Sequence, residues 1–194
     1  MGTSSLRRRA LLARWRPDLE VVELRGNVPT RIGKLDNGDY DAIVLAAAGV
    51  KRLGLGHRIS AYLTLDSFLP AVSQGAIGVQ IRRGDAEVGR FVEDLNHQET
   101  QQATEAERAL LRTLEGGCQV PVGGHAVVTG RELRIRGVVC AVDGSRGVDG
   151  EMSGPAEAPE ELGVKLAQDL LRRGGDSILR EIRGSERAGE GSDG

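Results

Sequence analysis

The order of the predicted elements changes midway along the chain, and this change constrains the fold more than any other feature. Up to about Leu69, helices alternate with short strands, with helices at 6–16, 30–35 and up to about 53 and strands at 19–24 and 41–45. Such alternation is typical of an α/β unit with a parallel sheet. After a helix at 99–115, strands follow one another directly at 122–129, 132–140 and 148–153. Turn sequences such as Thr129-Gly130-Arg131 favour antiparallel pairing there, so the sequence predicts an α/β part followed by an α+β part.

The remaining segments connect and close these two parts. A glycine-containing stretch at 74–81 predicts a strand, and a helix is predicted at 85–95. Further helices are predicted at 160–173 and 176–182. The tail at 184–194 is rich in Gly, Ser and Glu, a composition typical of disorder. The chain therefore divides into segments 1–69, 70–95, 96–183 and 184–194.

Composition argues against several classes of function. The 194 residues carry 26 Lys and Arg against 28 Asp and Glu, a net charge of −2, which argues against a general nucleic-acid binder. No apolar run approaches the roughly 20 residues of a membrane span, and no signal-peptide core follows Met1. Two widely separated cysteines make a poor disulfide framework, so we expect a protein of the reducing cytoplasm without membrane attachment.

The start of the first predicted helix concentrates hydroxyl and guanidinium groups, which come from Thr3, Ser4, Ser5, Arg7, Arg8 and Arg9. Free backbone amides at a helix N-terminus attract anions, and guanidinium groups bind carboxylates through paired hydrogen bonds. Arg25 follows a predicted strand directly, and Arg31 lies six residues further on, near the strand ends where open α/β sheets bind ligands. These residues indicate an anion-binding pocket. The alternative is a set of solvated arginines on exposed faces.

Cys118 has an unusual setting. The helix at 99–115 runs into two glycines, this thiol and then Pro121, so the sulfur is predicted to lie on a shaped loop. A helix C-terminus disfavours the thiolate, and the three histidines form no evident pair near this cysteine. The setting fits a thiol that reacts once and stays attached; a buried or incidental thiol and a thiol-dependent hydrolase are the alternatives. Cys140, inside an apolar strand, is predicted to lie in the core.

Five stretches of the chain carry a family resemblance. They are Gly2-Thr3-Ser4-Ser5-Leu6-Arg7-Arg8, Leu24-Arg25-Gly26-Asn27-Val28 with Thr30-Arg31, Asp41-Ala42-Ile43-Val44-Leu45-Ala46 with Gly49, Leu69-Pro70-Ala71-Val72 with Gln74-Gly75-Ala76, and Leu114-Glu115-Gly116-Gly117-Cys118-Gln119-Val120-Pro121. In order and spacing these stretches resemble the porphobilinogen deaminase family, whose members are also called hydroxymethylbilane synthases. The resemblance extends to about Arg183.

The resemblance implies an activity and a cofactor. Members of this family are transferases of porphyrin and heme biosynthesis that condense four porphobilinogen molecules into hydroxymethylbilane and release ammonia. The product grows on a dipyrromethane cofactor, which is attached by a thioether to the loop cysteine, and Cys118 occupies that position. A monomer that binds porphobilinogen, with no nucleic-acid partner, is implied.

The resemblance also implies a set of site residues. The positions that correspond to cofactor-binding residues are Cys118, Thr3, Ser5, Arg7, Arg8, Arg25, Arg31, Ala46, Gly49 and Gln74. The positions that correspond to substrate-binding residues are Arg25, Arg31 and Arg52. Each pyrrole carries two carboxylates, so a growing tetrapyrrole requires a cluster of guanidinium groups. No metal is implied.

By the same resemblance, each segment of the chain corresponds to a domain. Residues 1–69 correspond to domain two, an α/β lobe of the periplasmic-binding type, and 70–95 to a segment that returns into domain one. Residues 96–183 correspond to a C-terminal α+β domain with a three-stranded antiparallel sheet, which carries the cofactor cysteine.

Two kinds of departure from the family modify these expectations. In family members a long stretch that forms most of domain one, with the catalytic aspartate, precedes the position of Gly2, so we expect an N-terminally truncated copy with little or no turnover. Apolar surface near 77–81 would then lack sheet neighbours. A non-catalytic anion-binding fragment of the same fold is the alternative. Pro29 and Ser73 are smaller departures, and Ser73 stands where a glycine is usual.

Overall fold

A computed structural model of the chain describes residues 1–114 and 120–190, and of 185–190 only the backbone. Its first helices are α1 (Leu6–Trp15), α2 (Val28–Asp36) and α3 (Ala47–Arg52), followed by a 3-10 turn at Gly56–Arg58. Next come α4 (Ala86–Glu93), α5 (Gln98–Thr113), β1 (Val122–Thr129), β2 (Glu132–Cys140) and β3 (Gly147–Pro155). The described chain ends with α6 (Pro159–Leu170), a π-helical turn at Leu171–Gly175 and α7 (Asp176–Glu190). Among these described helices, none combines the length and apolarity needed to cross a bilayer.

The predicted three-stranded antiparallel sheet is confirmed. Its spatial order is β1-β2-β3, so β2 is the central strand. The turn at Gly130 joins β1 to β2 and sets the register in which Thr129 pairs with Glu132. Helices α5 and α6 pack on this sheet. Gly137 in β2 permits their close approach, because a Cβ at that position would lie 3.0–3.3 Å from leucine side chains of the two helices.

The main apolar core lies between this sheet and the C-terminal helices. Its buried members are Ala106, Leu110, Leu114, Val120, Val122, Ala126, Leu133, Ile135, Val139, Ala156, Leu162, Leu166, Ala167, Leu170, Ile178, Leu179 and Ile182. The predicted apolar face of the helix at 99–115 is thus largely buried, and burial of such side chains is the main favourable term in folding. This core holds α5 firmly, and the segment with Cys118 follows α5 directly.

The parallel arrangement predicted for the N-terminal part is present in reduced form. Gly2 forms isolated parallel bridges with both Val22 and Ile43, so the start of the chain lies between the two segments that were predicted as strands. Backbone hydrogen bonds join Thr3 N to Val22 O (3.0 Å) and Gly2 N to Ala42 O (2.8 Å). The segment at Gly2 was not predicted as a strand, because its polar sequence has no apolar alternation. The contacts are single bridges rather than ladders, yet they bring the start of α1 beside both segments.

The predicted strand at 74–81 is wrong. Residues 72–75 form a turn, and residues 76–82 belong to no helix or strand of the described chain. Alternating apolar residues form a strand only where a neighbouring strand accepts their backbone hydrogen bonds. The side chains of this segment and of α4 accordingly remain exposed: Ile77 is 80% exposed and Phe91 75%. The expected exposure of apolar surface near 77–81 is confirmed.

The C-terminal helix is longer than predicted. α7 runs to Glu190, beyond the predicted end at 182 and into the tail predicted as disordered. Glu, Arg and Ala are good helix formers, and several of them occupy this part of the tail. Gly174, with φ of 112°, lies in the turn between α6 and α7, as expected for a glycine that redirects a helix.

A second apolar cluster joins the N-terminal part to the sheet. It contains Ala10, Leu11, Leu12, Phe68, Leu69, Val138 and Cys140. The loop between β2 and β3 adds to this contact, because Gly144 packs directly against α1. A Cβ at Gly144 would lie 2.7 Å from both the Ala13 Cβ and the Arg14 backbone nitrogen. α1, which carries the predicted site arginines, is therefore fixed against the C-terminal domain.

Gly144→Ala is expected to weaken this contact by about 2 kcal/mol or more, because the new methyl group overlaps α1 and the backbone has a positive φ of 73°. Gly130→Ala is the matched control, since φ there is also positive (62°) but nothing lies within 4 Å of the position that the methyl group would take. The difference between the two variants in free energy of unfolding, measured in urea, isolates the contact with α1. Equal losses in both variants would contradict it.

Candidate anion-binding site

Hydroxyl groups at the start of α1 serve mainly to fix its backbone. Ser5 is the N-cap residue and its side chain accepts a hydrogen bond from Arg8 N (3.4 Å). Ser4 Oγ donates to Leu24 O (2.5 Å) and accepts from Leu24 N (3.2 Å). Thr3 is fully buried, and its Oγ1 accepts from Ser5 N (3.3 Å). Of the two predicted hydroxyl ligands, Thr3 is therefore buried and holds the backbone at the start of α1. Only Ser5 is partly accessible to a ligand.

Arg7 is a buried cation. Only 7% of the residue is exposed, and its Nη1 donates to Leu69 O at 2.7 Å. Burial, and secondarily the neighbouring charge of Arg8, lowers the pKa of Arg7 to about 10. The backbone oxygen supplies a hydrogen bond but no negative charge, so this contact does not compensate the charge of the guanidinium.

Arg8 lies close to this buried charge, and Arg31 lies close to Arg8. Arg8 Nη1 donates to Val44 O (2.8 Å), and Arg31 Nε donates to Gly26 O (2.7 Å). The pKa of Arg8 is lowered by burial first and by the charge of Arg31 second. The positive charge of Arg8 therefore repels that of Arg7, and the positive charge of Arg31 repels that of Arg8, near the start of α1. We call Arg7, Arg8 and Arg31 the arginine cluster.

Within residues 1–114 and 120–184, none of the three guanidinium groups of the arginine cluster forms a salt bridge with a carboxylate. Other arginines behave differently, since Arg14 pairs with Asp149 and Arg136 with Asp66. Buried charges are ordinarily paired, because desolvation of a lone ion is costly. An external anion at this site would supply the missing negative charge.

The remaining predicted arginines are at the surface. Arg25 pairs with Glu23 at 2.7 Å, and its side chain is 81% exposed. Arg52 is exposed in the last turn of α3. The structure therefore separates the predicted arginines into a half-buried or buried cluster and two exposed residues.

The backbone that leads into Ala46 and Gly49 lies close to Arg8 of the arginine cluster. Arg8 bonds to Val44 O, two residues before Ala46, which is the N-cap residue of α3. Ala46 O accepts from Gly49 N (3.0 Å) in the first turn of that helix. A Cβ at Gly49 would meet only Val28, at an ordinary 3.7 Å. The structure thus brings the start of α3 beside the start of α1.

Gln74 lies in a different environment. It is exposed on the turn at 72–75 and lines an open cavity of about 310 Å³ between this turn, α5 and β1. His97 and His125 also line this cavity. Among the described residues, no hydrogen bond or ion pair joins Gln74 to the arginine cluster.

Sequence reasoning missed Glu107, a buried acid on α5. It is 4% exposed, and its two carboxylate oxygens accept hydrogen bonds from Ser73 N (2.5 Å) and Ala126 N (2.7 Å). His125 Nδ1 lies 3.6 Å from Glu107 Oε1. The signal was present in the sequence, because Glu107 falls on the helix face that carries the apolar positions 103, 106, 110 and 114.

The predicted tether Cys118 lies outside the described residues, within the gap at 115–119. The second cysteine, Cys140, is fully buried in the apolar cluster beneath α1, so its predicted place in the core is confirmed. Burial raises the pKa of the Cys140 thiol, and the nearby Arg14 offsets only part of that rise.

Comparison with known proteins identifies relatives of this α/β protein, which carries a candidate anion-binding site. The family model described as "Porphobilinogen deaminase, dipyromethane cofactor binding domain" matches residues 1–90. The model described as "Porphobilinogen deaminase, C-terminal domain" matches residues 101–172. A curated porphobilinogen deaminase from Pelobacter propionicus is 51% identical over 182 residues, which cover 94% of this chain.

The chain belongs to the porphobilinogen deaminase family. It spans 59% of the length of the curated relative that it matches. The mixed α/β architecture and the three-stranded antiparallel sheet agree with this membership, and the resemblance read from the five sequence stretches is confirmed.

Proposed function

We propose that this chain serves in hydroxymethylbilane synthesis, the stepwise condensation of four porphobilinogen molecules on a covalently held dipyrromethane primer. The observation that carries the proposal is the arginine cluster, in which Arg7, Arg8 and Arg31 lie together without a carboxylate partner in the described chain. A dipyrromethane that carries two carboxylates on each ring matches such a site in charge and in hydrogen-bonding capacity.

Each residue of the site receives a role in this proposal. Arg8 and Arg31 hold cofactor carboxylates, and Arg7 supplies buried positive charge while fixing the backbone at Leu69. Ser5 adds a hydroxyl at the start of α1, and Thr3 fixes that helix start by accepting a hydrogen bond from Ser5 N.

The exposed positions complete the proposed site. Arg25 and Arg52 are exposed at the surface, where they meet carboxylates of the incoming porphobilinogen. Ala46 and Gly49 offer backbone close to the cofactor, and Gln74 contacts it from the turn at 72–75. When bound, the dipyrromethane supplies the end to which further pyrrole units are added.

The domain assignment is part of the same proposal. Residues 1–69 form domain two, a lobe of the periplasmic-binding type, and the parallel bridges at Gly2 support this assignment. Residues 70–95 return to domain one, 96–183 form the C-terminal domain and 184–194 are the tail. A cytoplasmic monomer that acts on porphobilinogen completes the proposal.

Binding of a polycarboxylate tests the arginine cluster. Benzene-1,2,4,5-tetracarboxylate at a hundred times its dissociation constant is expected to stabilise the protein by about 2.7 kcal/mol, which raises the melting temperature by roughly 5–10 °C. Arg8→Leu is expected to abolish this shift, because it removes a partly buried guanidinium from the cluster. Differential scanning fluorimetry at low salt measures both effects.

Arg9→Leu is the matched control, because Arg9 is the next residue of α1 but is exposed. The same stabilisation in the wild type, Arg9→Leu and Arg8→Leu would contradict the proposed site. Stabilisation that depends on Arg8, in a protein that never gains the mass of a dipyrromethane, would favour the non-catalytic anion-binding fragment instead.

A further inference from the structure

The connection between the N-terminal part and the C-terminal domain runs along the free edge of β1. Residues 69–74, here called the connecting segment, contact β1 on the side opposite to β2. Gly124 N donates to Pro70 O at 3.1 Å, as a neighbouring strand would. Two residues further along β1, Ala126 N points to the same side of the strand. It donates to the Glu107 side chain rather than to a backbone oxygen of the connecting segment.

Glu107 lies between two backbone donors. Its Oε2 accepts from Ser73 N at 2.5 Å and its Oε1 from Ala126 N at 2.7 Å. Two N–H groups that face each other cannot form a hydrogen bond, and burial would leave both unsatisfied. An ionised carboxylate only accepts hydrogen bonds, so one side chain satisfies both donors. Glutamine, which has the same shape, would place an NH₂ donor against one of them.

The turn held in this way has an unfavourable backbone conformation. Ser73 has φ of 60°, and it is the only residue other than glycine with positive φ in the described chain. Such a conformation is costly for a residue with a Cβ and persists where surrounding contacts determine it. The bond from Ser73 N to the buried Glu107 is a contact of this kind.

Opposite charges hold the two ends of the connecting segment. Arg7, from α1, donates to Leu69 O at its start, and Glu107, from α5, accepts from Ser73 N near its end. Gln74 follows Ser73 directly, and Cys118 follows the end of α5 at Thr113 by five residues. Glu107 therefore lies on a helix that is hydrogen-bonded to the turn with Gln74 and that precedes Cys118 in the sequence.

We propose that Glu107 is a positioning residue that fixes the Ser73–Gln74 turn relative to α5, the helix that precedes Cys118 in the sequence. The proposal rests on the proposed function, since Gln74 and Cys118 are assigned to the cofactor there. Glu107 acts through the backbone of Ser73 and need not touch the cofactor itself.

Amide hydrogen exchange of the full chain, measured by NMR, tests the positioning directly. In Glu107→Gln, exchange at Ser73 and Ala126 is expected to accelerate about tenfold or more, because each amide loses or weakens a charge-assisted hydrogen bond. Amides of the central strand β2 are expected to keep their rates. Glu105→Gln is the matched control, since that carboxylate on the same helix accepts a hydrogen bond from the Gln101 side chain at 2.8 Å.

The cofactor readout separates positioning from general stability. After incubation with porphobilinogen, Glu107→Gln is expected to gain dipyrromethane mass at least about tenfold more slowly than the wild type. Leu111→Ala, which removes a partly buried side chain from the same helix, is expected to lower stability and to leave the loading rate unchanged. Glu107→Asp, which keeps the two acceptor oxygens, is expected to recover part of the rate.

Several results would overturn the proposal. One is unchanged exchange at Ser73 in Glu107→Gln, and another is equal loading rates in Glu107→Gln and the wild type. Should Glu107→Gln fail to fold, the wild type itself decides, because Ser73 N must then exchange more slowly than Gly75 N in the same turn. A wild type that gains no mass contradicts the proposed function, while the exchange rates still decide whether Glu107 holds the turn.

Discussion

Gly163→Ala is expected to destabilise the protein by roughly 3–5 kcal/mol, near the top of the range for a single substitution. Gly163 lies in α6 where that helix crosses α5. A Cβ at this position would lie 2.2 Å from the Ala106 carbonyl oxygen and 2.9 Å from the Ala109 Cβ. A backbone atom cannot yield as a flexible side chain can, so the helices must separate, and the core between them and the sheet must loosen.

Propensity alone predicts the opposite result for this substitution. Alanine is favoured over glycine inside a helix by about 1 kcal/mol. Gly33→Ala in α2 provides the control, because nothing lies within 4 Å of the position that its Cβ would take, and we expect that variant to be slightly more stable than the wild type. Urea unfolding followed by circular dichroism measures both. A Gly163→Ala variant within about 1 kcal/mol of the wild type would show that the helices pack less closely than the structure indicates.

The C-terminal domain was predicted from local sequence signals because those signals agree with its tertiary structure. The turn at Gly130 and the apolar alternation on either side specify the hairpin, and β1 and β2 have the predicted bounds. α2 shows how capping refines such a prediction. It begins at Val28 rather than Thr30, because Asn27 accepts a hydrogen bond from Thr30 N (2.9 Å) and Pro29 fits the first turn, where its missing N–H is not needed.

The stretch at 74–81 and the two buried charges could not be predicted in the same way. The apolar residues around Ile77 indicate a strand, but a strand also requires a neighbouring strand to pair with. That neighbour is a property of the fold and not of the local sequence. Arg7 and its exposed neighbour Arg9 look alike in the sequence, and only the packing of α1 on Leu69 distinguishes them. Glu107 was visible as an acid on an apolar face, but its two backbone donors come from distant segments.

The departure at Ser73 acquires a physical reason from the structure. Its positive φ of 60° is the conformation that glycine adopts without strain, which gives a physical reason for the glycine that the resemblance implies at this position. The serine hydroxyl is also buried without a hydrogen-bond partner among the described residues. The resemblance alone marks the position as a departure, whereas the backbone angle shows why a residue with a Cβ is strained there.

Of the two cysteines, Cys140 is unsuited to hold a cofactor. It is the last residue of β2 and is fully buried against α1. A Cβ at the neighbouring Gly147 would lie 3.1 Å from its sulfur. Burial raises its pKa, which lowers the fraction of reactive thiolate at neutral pH. A dipyrromethane attached there would have to displace Leu11 and its neighbours in the apolar cluster. Cys118 is therefore the cysteine that we propose for covalent attachment, as the family resemblance implies.

Cys118→Ala is accordingly expected to abolish cofactor attachment completely, whereas Cys140→Ala is expected to retain it with a stability loss of about 1 kcal/mol from the small cavity. Intact-mass spectrometry after incubation with porphobilinogen measures attachment, and chemical unfolding measures stability. The contrast is total because a thioether requires one particular sulfur, while the arginine cluster contributes only reversible binding. Dipyrromethane mass on Cys118→Ala would contradict the assignment. Loss of the mass in both variants would show that attachment depends on an intact core beneath α1 as well as on the tether.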